Sequence, residues 1–298
     1  MSSRHILGIF ALCILSPFSL ADEPVTIKLR RNQQGDKVRQ TRVETDTNIA
    51  ALLDGTGAKV AEQKTSKEVS SKFTEEIIAK EKGKRATKVK RTYESAQMKK
   101  DDQTVDVPLE GKTVIVERKG DKHSFQLAGG GTISQEAAAF LRDEFKDKRE
   151  DDASDLEESF VPKSPVKAGD TWKCDLAKLI KTFSKEGMKI DAKKSSANAK
   201  LLRTYSKDGV PFGVLDVEMV FTITDFGKGG ATEPKLAKDA TMKIHMTMDV
   251  AIDGSTSSGK GTVTMDLRAL MKVKQGDMDV DVDVVNKRTL IETNELLK

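Results

Sequence analysis

Apolar side chains occupy every second position in four segments of the C-terminal third of the chain: 215–223, 242–252, 263–273 and 278–284. The positions between them are mostly Asp, Lys, Thr and Arg. Because successive residues of a β-strand point to opposite faces, this alternation predicts an antiparallel sheet with one apolar and one polar face. Strands this long must twist and coil. We therefore predict a mainly β fold built on a long curved antiparallel sheet, arranged as a half-barrel, a barrel or a bent sandwich.

The N-terminal half shows a weaker alternation within highly charged sequence. It predicts further strands at 25–31, 37–53, 58–80, 84–99, 113–117 and 124–127. Turn signals that contain glycine, such as the one around Gly35, separate several of these segments. The two halves are similar in make-up, and we expect one β-rich unit.

Two short amphipathic helices are predicted between the strand-rich parts. Ser134 is suited to cap the first helix, and Asp175 is suited to cap the second. Each cap is followed by apolar residues at helical spacing, which form one stripe that a sheet can cover. The stripes consist of Ala137, Phe140, Leu141 and Phe145 in the first helix and of Leu176, Leu179, Ile180 and Phe183 in the second.

Four sections of the chain differ in composition. Residues 1–21 have the positive start (Arg4), the short apolar core and the small-residue site (Ser19-Leu20-Ala21) of a secretory signal peptide. We expect 22–149 to form an N-terminal β-rich half that ends in a helix, 150–171 an acidic and proline-containing linker, and 172–298 a C-terminal helix with an antiparallel sheet. The apolar stretch of the signal is too short and too interrupted for a membrane span. The sequence thus predicts an exported protein, periplasmic or extracellular.

The hairpin near the C-terminus has a predicted register. Residues 274–277 (KQGD) lie between two alternating segments and favour a two-residue turn with Gln275 and Gly276 as the loop. This loop places Lys272 opposite Asp279 on the polar face. The prediction is wrong if those two residues are not cross-strand neighbours.

Polar residues interrupt the last alternating segment and also decorate its outer face. Asn286 and Arg288 stand where apolar residues are expected, which predicts a bulge or a strand end near Val285. The four aspartates at 277, 279, 281 and 283 suggest a calcium site at first sight. Alternate strand residues lie about 6.6 Å apart, too far to converge on one ion, so a solvated face with Lys and Arg partners is the favoured interpretation.

Charge and cysteine content exclude several classes of protein. The chain has 51 Lys and Arg against 47 Asp and Glu, interspersed, which indicates solubility more than nucleic-acid binding. The basic stretch 80–100 contains only Tyr93 as an aromatic residue and is interpreted as a solvated strand face, with weak attraction to anionic lipid or polysaccharide as the alternative. Cys174, the single cysteine after signal removal, excludes a disulfide scaffold and is expected to be a buried apolar residue.

Residues typical of catalysis are sparse. His123 and His245 are far apart in the sequence, and His245 lies at a polar position of its strand and is expected to face solvent. No nucleophile elbow, phosphate loop or dinucleotide fingerprint is present. The turn 129–131 (GGG) precedes a helix and is interpreted as a flexible turn. We therefore expect no catalytic residues, no metal site, no cofactor and no nucleic-acid partner.

Methionines dominate the apolar face of the C-terminal strands, and their flexible thioethers suit adaptable contacts. The residues predicted to line a ligand-binding face are Met219, Phe221, Met242, Ile244, Met246, Met248, Met265, Leu267, Met271 and Met278. The leading hypothesis is a non-enzymatic envelope protein that binds a lipid-like apolar ligand, or a partner such as an envelope protein or polysaccharide, on this face. Two alternatives stay open: an interaction module whose Met-rich face is a closed core, and an envelope-polymer hydrolase with paired carboxylates.

One short segment carries a resemblance to other proteins. Residues 160–172 (FVPKSPVKAGDTW) resemble the F-x-P-x-x-P-V-K-x-G-D-x-W segment of exported β-rich proteins of planctomycete-type bacteria. The resemblance implies export and a β-rich fold, and it implies no activity, cofactor or site residue. The predicted layout is also similar to that of periplasmic lipoprotein carriers, although no motif is shared with them.

Overall fold

The computed structural model describes residues 23–81, 84–120, 122–145, 158–185, 187–227, 234–275 and 278–297. Fourteen strands and two longer helices account for most of them. The N-terminal elements are β1 (Lys37–Leu53), β2 (Lys59–Lys80), β3 (Ala86–Lys100), β4 (Gln103–Val105), β5 (Thr113–Lys119), β6 (Lys122–Leu127) and α1 (Gln135–Phe145). The C-terminal elements are β7 (Thr171–Lys173), α2 (Leu176–Lys185), β8 (Lys189–Ile190), β9 (Ser196–Lys207), β10 (Val210–Asp225), β11 (Lys235–Leu236), β12 (Ala240–Ala251), β13 (Gly259–Gln275) and β14 (Met278–Leu297).

All described strands belong to one antiparallel sheet that does not close on itself. Its main path runs β6-β5-β3-β2-β1-β14-β13-β12-β10-β9-β7. The first long strand and the last one pair at the centre, with Lys37 opposite Leu297 and Leu53 opposite Asp281. The predicted fold class is therefore confirmed in its open form, and a single sheet joins the N-terminal and C-terminal halves.

Both helices and the apolar clusters lie on one face of the sheet, which we call the inner face. In the N-terminal core, Phe140 and Leu141 of α1 pack on a group of strand residues that includes Phe73 and Tyr93. In the C-terminal core, Leu179 of α2 packs on β10 and β12. Two cores therefore flank the central strands β1 and β14.

The helix predictions are confirmed down to their caps. The backbone amide of Ala137 donates to the Ser134 hydroxyl over 3.2 Å, and the amide of Lys178 donates to Asp175 over 3.1 Å. These bonds satisfy amides that the first turn of a helix leaves without a partner. The four stripe residues of α1 are all buried.

Three local predictions need correction. Residues 25–31 form only isolated bridges, at Val25 and Lys28, so the strand predicted there is absent. This segment instead crosses to the C-terminal half, where Ile27 is buried beside Leu201 and Leu215. The alternation of 25–31 thus reflects one buried side of an irregular segment, not a strand.

The predicted hairpin register is wrong by two residues. Gln275 pairs with Met278, which places Lys272 opposite Asp281 instead of Asp279. A shift of two residues leaves every side chain on its predicted face, because the side-chain period of a strand is two. The separation into polar and apolar faces was therefore predicted correctly although the partners were not.

The predicted bulge or strand end near Val285 is also wrong. Strand β14 continues to Leu297, and its register with β1 and β13 is unbroken there. The side chains that break the alternation find polar partners on β1. Asn286 donates to Asp46 over 2.8 Å, and Arg288 forms an ion pair of 2.7 Å with Glu44.

Several features predicted from sequence lie outside the described residues. These are the signal peptide at 1–21, most of the acidic part of the linker at 150–157, and the turn residues Gly276 and Asp277. The segment of the resemblance is described. Its two ends meet, because the Trp172 indole donates to the Phe160 carbonyl over 2.7 Å, and both residues belong to the C-terminal core.

None of the helices in the described part of the chain combines the length and hydrophobicity needed to cross a membrane.

Candidate functional site

The residues predicted to bind an apolar ligand lie together in the C-terminal core. Buried residues of this set are Met219, Phe221, Met242, Ile244 and Met246, and residues half-buried against the same core are Met248, Met265, Leu267 and Met271. The side chain of Met278 is outside the described part.

Helix α2 covers this Met-rich face. The Phe183 ring lies 5.0 Å from the Phe221 ring, and Leu179 is fully buried between helix and sheet. Side chains packed at such distances leave little room for a ligand. The geometry fits the closed-core alternative, and ligand binding on this face stays a prediction.

A cavity of about 640 Å³ lies in the curve of the sheet, between the two cores. Its walls come from the segment 29–32, from β1, β2, β3, β5 and β6, from the end of α1, and from β12, β13 and β14. The volume falls within the usual range of small-molecule sites, about 300–1,000 Å³. We call this space the central cavity. Of the ten residues predicted to bind a ligand, Met248 lines it.

The wall of the central cavity combines apolar and basic side chains. Apolar contributions come from both halves of the chain, as with Ile77 and Val89 on one side and Val250, Val263 and Leu290 on the other. The wall also carries nine Lys or Arg residues against two carboxylates, Glu75 and Glu292. The basic residues are Arg30, Arg31, Arg42, Lys80, Lys84, Arg85, Arg91, Arg118 and Lys260.

Acidic residues at or behind the wall pair with some of these cations. Arg30 binds Asp36 over 2.9 Å, and Arg42 binds Glu44 over 2.7 Å. Burial tends to raise the pKa of Asp36, but bonds from Arg30 and the Gln33 amide lower it overall. These two arginines are thus held in place, and basic residues outnumber the carboxylates among the residues that line the cavity.

Part of this basic surface coincides with the basic stretch noted in the sequence. Lys80, Lys84, Arg85 and Arg91 all line the central cavity. They lie on β2, on β3 and in the connection between them. The sequence favours a solvated strand face for this stretch, whereas the structure places several of its cations at the wall of the central cavity.

The floor between the cores is a polar cluster on β1 and β14. Glu44 accepts from both Arg42 and Arg288, each over 2.7 Å. Burial tends to raise the pKa of Glu44, but the two arginines lower it overall, so the carboxylate is charged at neutral pH. A cleft of about 260 Å³ opens beside this cluster under α1 and shares Arg42 with the central cavity.

Polar atoms without partners face both spaces. Ser71 is 3% exposed, and its hydroxyl has no hydrogen-bond partner in the described structure, although it lines the smaller cleft. The amide oxygens of Asn32 and Asn294, which line the central cavity, are also buried without a described partner. Because buried polar groups are normally hydrogen-bonded, these atoms point to water or a ligand in the two spaces.

Arg91 fixes one wall of the central cavity and is 2% exposed. Its guanidinium binds Glu75 on β2 and Glu144 on α1, each over 2.5 Å. The same group lies 3.8 Å from the centre of the Phe73 ring. Burial opposes its charge, but the two glutamates keep the pKa of Arg91 well above its usual value. The network therefore ties the helix to the sheet.

The hydrolase alternative required two acidic groups in one cleft. Glu75 and Glu144 lie in the wall region, but a single buried arginine binds both carboxylates. This arrangement gives them a structural role, and it leaves neither as a free proton donor. The geometry does not favour carboxylate catalysis at this pair.

Sequence expectations for single residues are largely met. Cys174 is buried, and burial raises the pKa of its thiol to about 11. The side chain of His245 is 51% exposed, as its polar position predicted. Of the aspartate ladder, Asp281 lies opposite Lys272, in line with a solvated face.

Comparison with known proteins assigns this chain to no family. No family model matches the chain, and no curated protein matches it. Among solved structures, the similar ones include Pseudomonas aeruginosa OpdQ (9% identity, 88% of this chain and 98% of that chain, TM-score 0.24). A mutant of the Rh. blastica porin (10% identity, 85% and 99%, TM-score 0.20) and an outer membrane channel from Pseudomonas putida F1 (9% identity, 88% and 97%, TM-score 0.18) are also similar. TM-scores this low establish neither a shared fold nor a shared function.

Proposed function

We propose that this chain is an exported, non-enzymatic binding protein of the cell envelope, and that it holds an anionic amphiphile such as a fatty acid or an acidic lipid in its central cavity. The export and the envelope location rest on the predicted signal peptide. The observation that carries the ligand class is the wall of the cavity, where apolar side chains from both cores meet nine basic residues.

The apolar part of such a ligand would lie against residues such as Met248, Val263 and Leu290. Burial of apolar surface there supplies about 25 cal/mol per Å². The anionic group would be attracted by the surplus of basic side chains, an interaction that strengthens as water is excluded. Lipid binding, which the sequence placed on the Met-rich face, is thereby assigned to the neighbouring space that β12 and β13 share with the N-terminal half.

Substitution of Gly261 tests directly whether the ligand binds in the central cavity. Gly261 lines this cavity, and because it has no side chain, a larger residue can be introduced there. A Cβ built at Gly261 meets only the Thr247 carbonyl oxygen, at 3.9 Å. Gly261 has the same parity in β13 as Val263, so a Phe there would point to the inner face. The matched control is Thr262→Phe, which adds a ring at the next residue, on the outer face.

The assay is titration of the purified mature protein with a long-chain fluorescent fatty acid and, separately, with the corresponding alcohol. We expect the acid to bind at least about tenfold more tightly than the alcohol and less tightly as salt is raised. Gly261→Phe should lower the affinity for the acid at least about tenfold, whereas Thr262→Phe should leave this affinity unchanged. Circular dichroism confirms that each variant is folded.

Three results would overturn the proposal. These are no saturable binding of the acid, equal affinity for acid and alcohol, or equal binding by wild type and a folded Gly261→Phe. If Gly261→Phe does not fold, lipid extraction and native mass spectrometry of the wild-type protein decide instead. An acidic lipid bound at one copy per chain supports the proposal, and a lipid-free protein that takes none from mixed vesicles contradicts it.

A further inference from the structure

The outer face of β10 and β12 brings three possible metal ligands together. Asp216 and Glu218 are two residues apart on β10, and His245 lies directly opposite Glu218 on β12. One ligand atom from each side chain can be chosen so that all three lie within 4.8 Å of one another. His245 Nε2 and Asp216 Oδ1 are 2.6 Å apart. We infer that these three residues form a binding site for a divalent transition-metal ion such as Zn²⁺.

Rigid strands hold the three side chains. Between the two carboxylates, Val217 is fully buried on the inner face, and the flanking residues of His245, Ile244 and Met246, are each 7% exposed. The backbone positions are thus fixed by the C-terminal core. Binding an ion would order only the side chains, which keeps the entropic cost low.

Glu218 is available as a ligand. Its carboxylate makes no hydrogen bond or ion pair with any residue in the described part of the chain. Two carboxylates on other parts of this sheet do have basic partners, Asp266 with Arg268 at 3.1 Å and Asp225 with Lys189 at 2.6 Å. Asp216 accepts from His245 and, over 3.4 Å, from the Thr247 hydroxyl, which helps to orient its carboxylate.

The mixture of ligands decides which ions are suitable. One imidazole nitrogen and two carboxylate oxygens suit Zn²⁺ and similar borderline ions, whereas Ca²⁺ and Mg²⁺ prefer oxygen alone. Three protein ligands leave a coordination position for water. The His245 side chain is 51% exposed and that of Asp216 is 26% exposed, so an ion can reach the site directly from solvent. The inference is independent of the cavity and of its proposed ligand.

The experiment is equilibrium dialysis of the purified protein against Zn²⁺, followed by elemental analysis and by calorimetric titration. We expect one strongly bound ion per chain. His245→Gln and Glu218→Gln should each weaken binding at least about tenfold, because each removes one ligand. Asp266→Asn is the matched control: it removes a carboxylate of β13 that is already paired with Arg268.

A second readout identifies the ligand atoms. Addition of Zn²⁺ should shift the imidazole NMR signals of His245 and leave those of His123 in place, because His123 lies on β6 in the other half. The inference is overturned if no ion binds, or if His245→Gln binds as tightly as wild type. Equal weakening by Asp266→Asn would likewise mean an adventitious ion only, attracted by the acidic groups of the surface.

Discussion

Replacement of Arg91 by Met should destabilise the protein more than any single change at its surface. The side chain is 2% exposed and binds two carboxylates that are themselves largely buried, Glu144 at 5% and Glu75 at 13% exposure. Met keeps most of the apolar contacts of the arginine stem. It removes the charge that makes burial of both carboxylates tolerable.

The expected loss in the free energy of unfolding follows from the burial of these three charged groups. Removing one partner of a buried ion pair typically costs about 3–5 kcal/mol, because the other charge is left without compensation. The cation–π contact with Phe73, at 3.8 Å, adds up to about 2 kcal/mol when desolvated. Part of the loss is recovered because a stranded glutamate can take up a proton. We expect a net loss of about 3–5 kcal/mol at neutral pH, and a smaller loss near pH 5.

Chemical denaturation followed by circular dichroism measures this loss. The control is the triple variant Arg91→Met, Glu75→Gln and Glu144→Gln, in which all three charges leave together. It should regain at least about 2 kcal/mol relative to the single variant, since no buried charge stays unpaired. A loss below about 1 kcal/mol for Arg91→Met, or a triple variant no more stable than the single one, would refute the reasoning.

Three further predictions concern other parts of the molecule. The pKa of Glu44 is lowered in the folded state from its ordinary value of 4.5, so the stability that its charge contributes is present above pH 4.5 and is lost as the pH falls. Between about pH 6 and pH 3, the free energy of unfolding should therefore fall more for wild type than for Glu44→Gln. Parallel losses in the two proteins would contradict this. Burial raises the pKa of the Cys174 thiol to about 11, so a thiol reagent at about pH 8 should label it slowly until denaturant is added. Equal labelling rates in the folded and the denatured protein would show that the thiol is accessible. Met219→Ala should lower the free energy of unfolding by about 2–5 kcal/mol, and substitution of the half-buried Met265 by Ala should lower it clearly less. Small and equal losses in thermal or chemical unfolding would indicate that the Met-rich face is open.

The fold class could be predicted from the sequence because alternation is a direct record of burial. From Val217 to Ile223 on β10 and from Ala240 to Met246 on β12, every second residue is buried in the core that α2 covers, so the pattern there is regular and its interpretation is sound. The helix stripes are equally informative, since Ala137, Phe140 and Leu141 all face one core. Local sequence is sufficient to predict an element that has one solvent-exposed face and one buried face.

The hairpin register shows what alternation leaves undetermined. With the loop at Gln275 and Gly276, Lys272 would meet Asp279; with strands that end at Gln275 and begin at Met278, it meets Asp281. Both registers pair a lysine with an aspartate and keep the same face inside. An exposed pair contributes only about 0–1 kcal/mol, so charge matching alone could not select between them.

The central cavity could not be located from the sequence, because its wall depends on long-range pairing. Strands β1 and β14 are neighbours although Asp46 and Asn286 are 240 residues apart. No local pattern indicates that the first long strand lies beside the last. The basic stretch at 80–100 is visible in the sequence, but the position of Arg91 at the wall of the central cavity follows from the curvature of the whole sheet.

One sequence signal did mark the cavity, although it predicts something else when taken alone. Asn286 and Arg288 interrupt the alternation of β14, and Gln40, Arg42 and Glu44 do the same at inward positions of β1. A strand that loses its apolar face usually leaves the sheet or bulges, yet both strands continue in register. They can do so because these positions lie between the two cores. Glu44 pairs there with Arg42 and Arg288, and Asn286 pairs with Asp46. Several of these residues border the central cavity or the smaller cleft instead of packing against apolar side chains. A polar interruption at inward positions of two long strands is therefore expected wherever a curved sheet has a core at each end and a solvent-filled or ligand-filled space between them.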